Sequence, residues 1–214
     1  TKRQAEQIFV DALAAGTIRG AVFRPSIIVG AERDGLISQF HNFYSILRMV
    51  DVIERAADFG INHFDTARVY QNGNNERMVG AALKKVRQKV ILSSKSVATT
   101  RAEALADLDT SLRELGTDYL DLWYLHNKNE PGQVTADLLE AQRIGKQSGK
   151  IRFAGVSTHF NMDEMLAYLA KLGPIDVVLT TYNFAMRSVD AAMNANPDAP
   201  KTDMTEAIRS ARKA

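Results

Sequence analysis

HFDTARVYQNGNNERMVGAAL, residues 63–83, turns within three positions from an apolar run to a carboxylate, Asp65. Tyr70 follows five residues later, then a stretch rich in Asn and Gly, then apolar positions at helical spacing. That order reads as a buried strand, a short loop and a returning helix. A carboxylate ending such a strand calls for a partner, because an isolated charge away from water is costly.

The same unit recurs along the chain. Strand candidates at 19–29, 61–65, 89–95, 119–126, 151–157 and 175–182 alternate with helical patterns at 2–14, 36–58, 75–87, 101–115, 134–148, 161–172 and 203–213. Thr100 with Glu103, and Asn161 with Glu164, read as capping boxes that open two of the helices. Gly60, Gly116, Gly149 and Gly173 each sit just past a helix, where a left-handed stop is expected. Strands alternating with helices imply parallel pairing through right-handed crossovers. The expected fold class is α/β, built of parallel βα repeats.

Four of the strands run out on a functional group at one phase of the repeat. Asp65, Lys95, His126 and Ser157 are separated by 30, 31 and 31 residues, and the next strand delivers Tyr182. In barrels and open α/β sheets alike, the carboxyl ends of parallel strands are where ligands bind. Asp, Tyr, Lys and His together suit proton delivery to a carbonyl oxygen. A tyrosine hydroxyl titrates near ~10 when unperturbed, and a neighbouring ammonium is expected to lower it. A carboxylate keeps that ammonium charged and oriented, and a neutral histidine polarises the carbonyl. This is general acid catalysis, and it needs a hydride donor to complete a reduction. The competing reading makes Lys95 a Schiff-base nucleophile of aldolase type; pairing with Asp65 suits a protonated lysine better.

Bulk composition excludes several classes. The 214 residues are 45% hydrophobic and 24% charged, ordinary globular values, and a net charge of +2 without a Lys/Arg stripe argues against a nucleic-acid partner. No apolar stretch reaches the ~20 residues that span a bilayer, so no membrane partner is expected. The absence of cysteine fits a reducing compartment, and a cytoplasmic location is expected. His41, His63, His126 and His159 share no helix face at metal spacing, so no metal is expected. Trp123, mid-strand, is expected to pack against a helix, and Gly73 to serve a turn.

GINHFDTARVYQNGNNERMVGAALK (60–84), VILSSK (90–95), SLRELGTDYLDLWYLH (111–126), GKIRFAGVSTH (149–159) and YN (182–183) resemble the aldo-keto reductases in order and spacing. The resemblance implies a (βα)8 TIM-type barrel, NADPH as hydride donor and a small aldehyde or ketone as substrate. It implies Tyr70 as acid, Lys95 and Asp65 as its tuning pair, and His126 as orienting group. Ser157 and Thr158 fall where the family contacts the nicotinamide amide, although Thr158 stands where Asn is usual. The resemblance implies Tyr182 as a further cofactor contact, and Leu179 stands where many members have Gln.

Residues 1–47 do not share that pattern. They resemble the C-terminal half of an extended short-chain dehydrogenase or epimerase, with Lys2 as the active-site lysine and RPSIIVG (24–30) as the strand after it. Two domains are therefore expected, 1–47 and 48–214. The reductase pattern stops before its seventh and eighth βα units, and the chain starts at Thr1 without an initiator Met. Both features read as truncation, which would weaken NADPH binding and reduce or abolish activity. The expected architecture is an incomplete barrel of about six strands, with 19–29 standing in for the first. Such a sheet stays open or is completed by a partner chain, and exposed edges point to a homodimer. The alternative is a non-catalytic mosaic or an engineered chimera.

Overall fold

Five short runs pair as parallel strands: β1 (His63–Asp65), β2 (Ile91–Ser96), β3 (Leu120–Leu125), β4 (Ile151–Thr158) and β5 (Val177–Thr180). Their spatial order is their chain order, so each crossover leads to the adjacent strand and the sheet curls into a half-barrel. The computed structural model describes residues 42–182 and 204–212, with side chains from Met49 onward. The helix expected at 2–14, the strand at 19–29 and Lys2 lie outside the described residues.

Helix α1 (Asn42–Asp58) precedes β1. Helices α2 (Asn74–Leu83), α3 (Arg101–Leu115), α4 (Ala136–Gln147) and α5 (Met162–Leu172) follow the first four strands, and α6 (Met204–Ala211) follows the fifth. None of the described helices is long and apolar enough to cross a membrane. The helix expected over 75–87 ends at Leu83, and Arg87–Lys89 forms a separate 3-10 turn. At α3 the capping box forms as the sequence reads: Thr100 Oγ1 accepts from Glu103 N, and Glu103 Oε2 accepts from Thr100 N. At α5 it does not. Asn161 is left-handed at φ 48°, caps nothing, and donates its Nδ2 to the Asn129 carbonyl at 3.2 Å instead. A tertiary partner outbids the local cap there. All four glycines after helices adopt the expected positive φ.

The core lies between strands and helices. Leu92, Trp123, Leu125, Ala154, Val156, Leu108, Leu138 and Met165 are buried in one cluster, and Trp123 packs there as expected. Because side chains alternate along a strand, burial of Leu92, Ala154 and Val156 against the helices puts Ser93, Lys95, Gly155 and Ser157 on the opposite face. Phe64 packs against the same cluster, so His63 and Asp65 join them. The polar strand ends thus share the concave side of the half-barrel.

Close approach of α2 to the end of α3 depends on Gly80. A Cβ there would overlap the Leu115 backbone, with its Cα only 2.6 Å away. Gly80→Ala is expected to cost about 1–3 kcal/mol by overpacking, despite the better helix propensity of Ala, and a urea titration would read the loss. At the amino end of β3, Asp121 is nearly buried between Arg87 at 2.9 Å and Arg152 at 2.7 Å. Its Oδ2 also accepts from Leu92 N at 3.0 Å, which ties β2 to β3 at the end away from the polar cluster.

Candidate active site

Register places the candidate residues. Asp65 lies level with Ser93, and Lys95 with Tyr124, so the lysine stands two residues above the carboxylate on the neighbouring strand. That offset lets the Lys95 ammonium reach back to form an ion pair with Asp65 Oδ2. It also donates to the Thr66 carbonyl at 2.7 Å. Lys95 is 2% exposed. Ser93 Oγ donates to Asp65 Oδ1 at 2.6 Å and lies 3.2 Å from His63 Nε2, so both carboxylate oxygens are held.

Tyr70 arrives from the loop after β1. It opens a 3-10 turn, Tyr70–Gly73, in which Gln71 and Asn72 are left-handed at φ 50° and 55°. Arg68 in this loop pairs with Glu76 of α2, whose other oxygen accepts from Ser94 Oγ at 2.6 Å. Glu76 is fully buried, and its two partners fasten the loop carrying Tyr70 to the strand carrying Lys95. The Lys95 ammonium sits 5.1 Å from the Tyr70 ring centroid. His126, one residue past β3, meets the same ring edge-on at 5.9 Å. Its Nδ1 is buried with no hydrogen-bond partner among the described residues. Asp65, Tyr70, Lys95 and His126 are thus brought together.

The electrostatics differ in one respect from the sequence expectation. Burial, with the Asp65 charge second, raises the Tyr70 hydroxyl above its ordinary value. The ammonium expected to lower it is engaged with Asp65, and that carboxylate acts on the phenol too. Lys95 itself is lowered, because burial outweighs the opposing pull of Asp65. Burial first, then the Lys95 charge, holds His126 down to about 4. The cluster at neutral pH therefore presents a phenol and a neutral imidazole.

The depressed histidine has a stability consequence. As pH falls through ~6.5, the unfolded chain protonates at this position before the folded one does. Stability contributed by neutral His126 is complete above about 6.5 and is lost as pH drops toward about 4. His63 and His159 are lowered by burial in the same direction. The urea midpoint is expected to fall between pH 7 and pH 5, and to fall less in His126→Asn.

The three residues matched to cofactor contacts are placed less uniformly. Ser157 is buried on the concave face, and its Oγ accepts from Asn127 N at 2.9 Å. Thr158 alternates away from that face and donates to the Phe160 carbonyl at 3.0 Å. Tyr182 follows β5, is 44% exposed, and its hydroxyl lies 2.8 Å from Thr205 Oγ1. Residues the sequence reading passed over complete the surroundings. Tyr124 lies against Gly155, where a Cβ would meet its ring at 2.5 Å. Asn129 Oδ1 accepts from the His159 and Phe160 amides and so joins the loops after β3 and β4. Ser93 was legible as the same-face neighbour two positions before Lys95; Asn129 left no sequence signal.

The sequence model of the aldo/keto reductase family matches residues 35–195. The chain belongs to the aldo/keto reductase family. Aldo-keto reductase YhdN of Bacillus subtilis is 30% identical over 158 residues, covering 67% of this chain and 46% of that protein. The NADH-specific methylglyoxal reductase of Escherichia coli is 29% identical over 164 residues, 66% of this chain and 50% of its own length. Among solved structures, an aldo/keto reductase from Klebsiella pneumoniae in complex with NADP and acetate aligns with a TM-score of 0.60 at 31% identity, covering 70% of this chain and 53% of the other. The chain spans about half the length of the curated relatives it matches. For an aldo/keto reductase, the polar cluster sits at the strand ends where ligand sites of parallel α/β folds form.

Proposed function

We propose that this chain reduces the carbonyl group of a small aldehyde or ketone with NADPH, using Asp65, Tyr70, Lys95 and His126. One arrangement carries the reading: Lys95 is buried between the Asp65 carboxylate and the Tyr70 ring, with His126 edge-on to that ring. The Klebsiella pneumoniae relative is described with NADP and the Escherichia coli relative as NADH-specific, so the choice of the phosphorylated form rests on the first of these and on the sequence resemblance.

Bound NADPH would supply a hydride to the carbonyl carbon. Tyr70, kept protonated by its raised pKa, donates its proton to the carbonyl oxygen as charge develops there. Lys95 over the ring stabilises the phenolate left behind. Neutral His126 orients the same oxygen by donating its single ring N–H from Nε2, since Nδ1 is buried. Ser157, which accepts from Asn127 N and retains its own proton, would donate to the nicotinamide amide at the end of β4. Thr158 would support that contact from the turn at 158–160, and the exposed ring of Tyr182 offers a flat apolar surface. A carbonyl-dependent loss of dihydronicotinamide absorbance, with methylglyoxal and with butanal, tests the reading. A rate no faster than NADPH alone contradicts it.

The lowered Lys95 ammonium favours a second reading, an amine nucleophile forming a Schiff base. Borohydride in the presence of a carbonyl would then leave a mass adduct on Lys95. Self-association through β1 and β5, the outer strands of the sheet among the described residues, belongs to the same proposal. Sedimentation returning 23.7 kDa at all concentrations would exclude it. The short-chain dehydrogenase resemblance of 1–47, and a domain boundary after 47, are readings of the sequence alone; the family match begins at residue 35, and α1 (Asn42–Asp58) runs through residue 47 without a break.

A further inference from the structure

A cleft of about 360 Å³ opens between the loop after β2 and the loop after β3, with Val97, Thr99, His126, Lys128, Gln133 and Thr135 in its lining. His126 belongs to this lining and to the Tyr70 contact at once, so the cleft adjoins the reacting groups. Lys128 is 6% exposed, and its Nζ donates to the Ala98 carbonyl at 3.0 Å. That is one acceptor for three N–H donors. No carboxylate is in the lining, and among the described residues none pairs with Lys128. Glu103, which reaches the edge of the cleft at Thr99, is engaged by the Thr99 and Thr100 amides in the α3 capping box. Joining two loops through one carbonyl bond requires no charge; a neutral donor would serve at lower desolvation cost. Burial lowers the ammonium, and no acidic neighbour opposes it, while its charge is felt at His126.

We infer that Lys128 anchors an anionic substituent, a carboxylate or a phosphate, on the carbonyl substrate, with the carbonyl end directed to His126 and Tyr70. The inference rests on the reductase reading for the carbonyl half and stands on the cleft alone for the anionic half. Matched substrates separate the sources: succinic semialdehyde against butanal for carboxylate, phosphoglycolaldehyde against glycolaldehyde for phosphate. The ratio of kcat/KM, anionic over neutral, is expected to fall about tenfold to a hundredfold in Lys128→Met, the range of a charge-assisted hydrogen bond. The fall should come through KM, with Lys128→Arg retaining most of the ratio. A response in one pair alone assigns the anion to that pair. A ratio unchanged in both pairs overturns the inference.

Calorimetric titration with succinate and with inorganic phosphate reads the site without turnover. Binding to the wild-type chain that Lys128→Met loses supports the anchor. Equal binding by both proteins, or none by the wild type, overturns it. Anion binding that depends on Lys128, in a protein with no carbonyl-dependent NADPH oxidation, supports the anchor while removing the reductase reading.

Discussion

Tyr70→Phe is expected to lower carbonyl turnover by about two to four orders of magnitude, the range for a positioned general acid. The loss should fall on kcat, because the ring, its 5.1 Å approach to the Lys95 ammonium and its edge contact with His126 are all kept. Only the transferable proton is gone. Stability should stay within about 0.5 kcal/mol, since Tyr70 is 40% exposed and its hydroxyl is not part of the core. Paired measurements of kcat and of the urea midpoint check both halves. Full turnover by the variant would remove Tyr70 from the chemistry.

Lys95→Met is expected to fail on both counts. Removing one partner of a buried ion pair costs about 3–5 kcal/mol because the other charge is stranded. Here the low end applies: Asp65 retains the Ser93 hydroxyl, and its side chain is 26% exposed. Asp65→Asn in the Lys95→Met background should recover part of the stability by removing the stranded charge. It should recover none of the activity, since the cation over Tyr70 is still missing. Thermal melts separate these two effects; a double variant with restored turnover would show that Lys95 serves only the fold.

The strand ends were legible because the βα repeat is regular. Asp65, Lys95, His126 and Ser157 recur at nearly constant spacing, and parallel register converts that spacing into one site. Thr100 was legible as a cap because both halves of its box lie within one turn. Asn161 was not, because its side chain is claimed by Asn129, 32 residues earlier, and local pattern carries no information about that. The direction of the Tyr70 shift was also hidden. Sequence shows which charges can be near, but it does not show how much water each loses, and desolvation is the larger effect at Tyr70, Lys95 and His126 alike. Glu76 shows the same gap: it reads as an ordinary first-turn acid of α2, yet it is buried and joins Arg68 to Ser94.

The most direct test follows the hydride. The chain is incubated with a carbonyl substrate and NADPH deuterated at the transferring carbon, and the alcohol is examined by mass spectrometry. Direct transfer predicts deuterium on the carbinol carbon, at a yield that collapses in Tyr70→Phe. No deuterated alcohol, together with a borohydride-trapped adduct on Lys95, would contradict the reductase account and leave the amine nucleophile in its place.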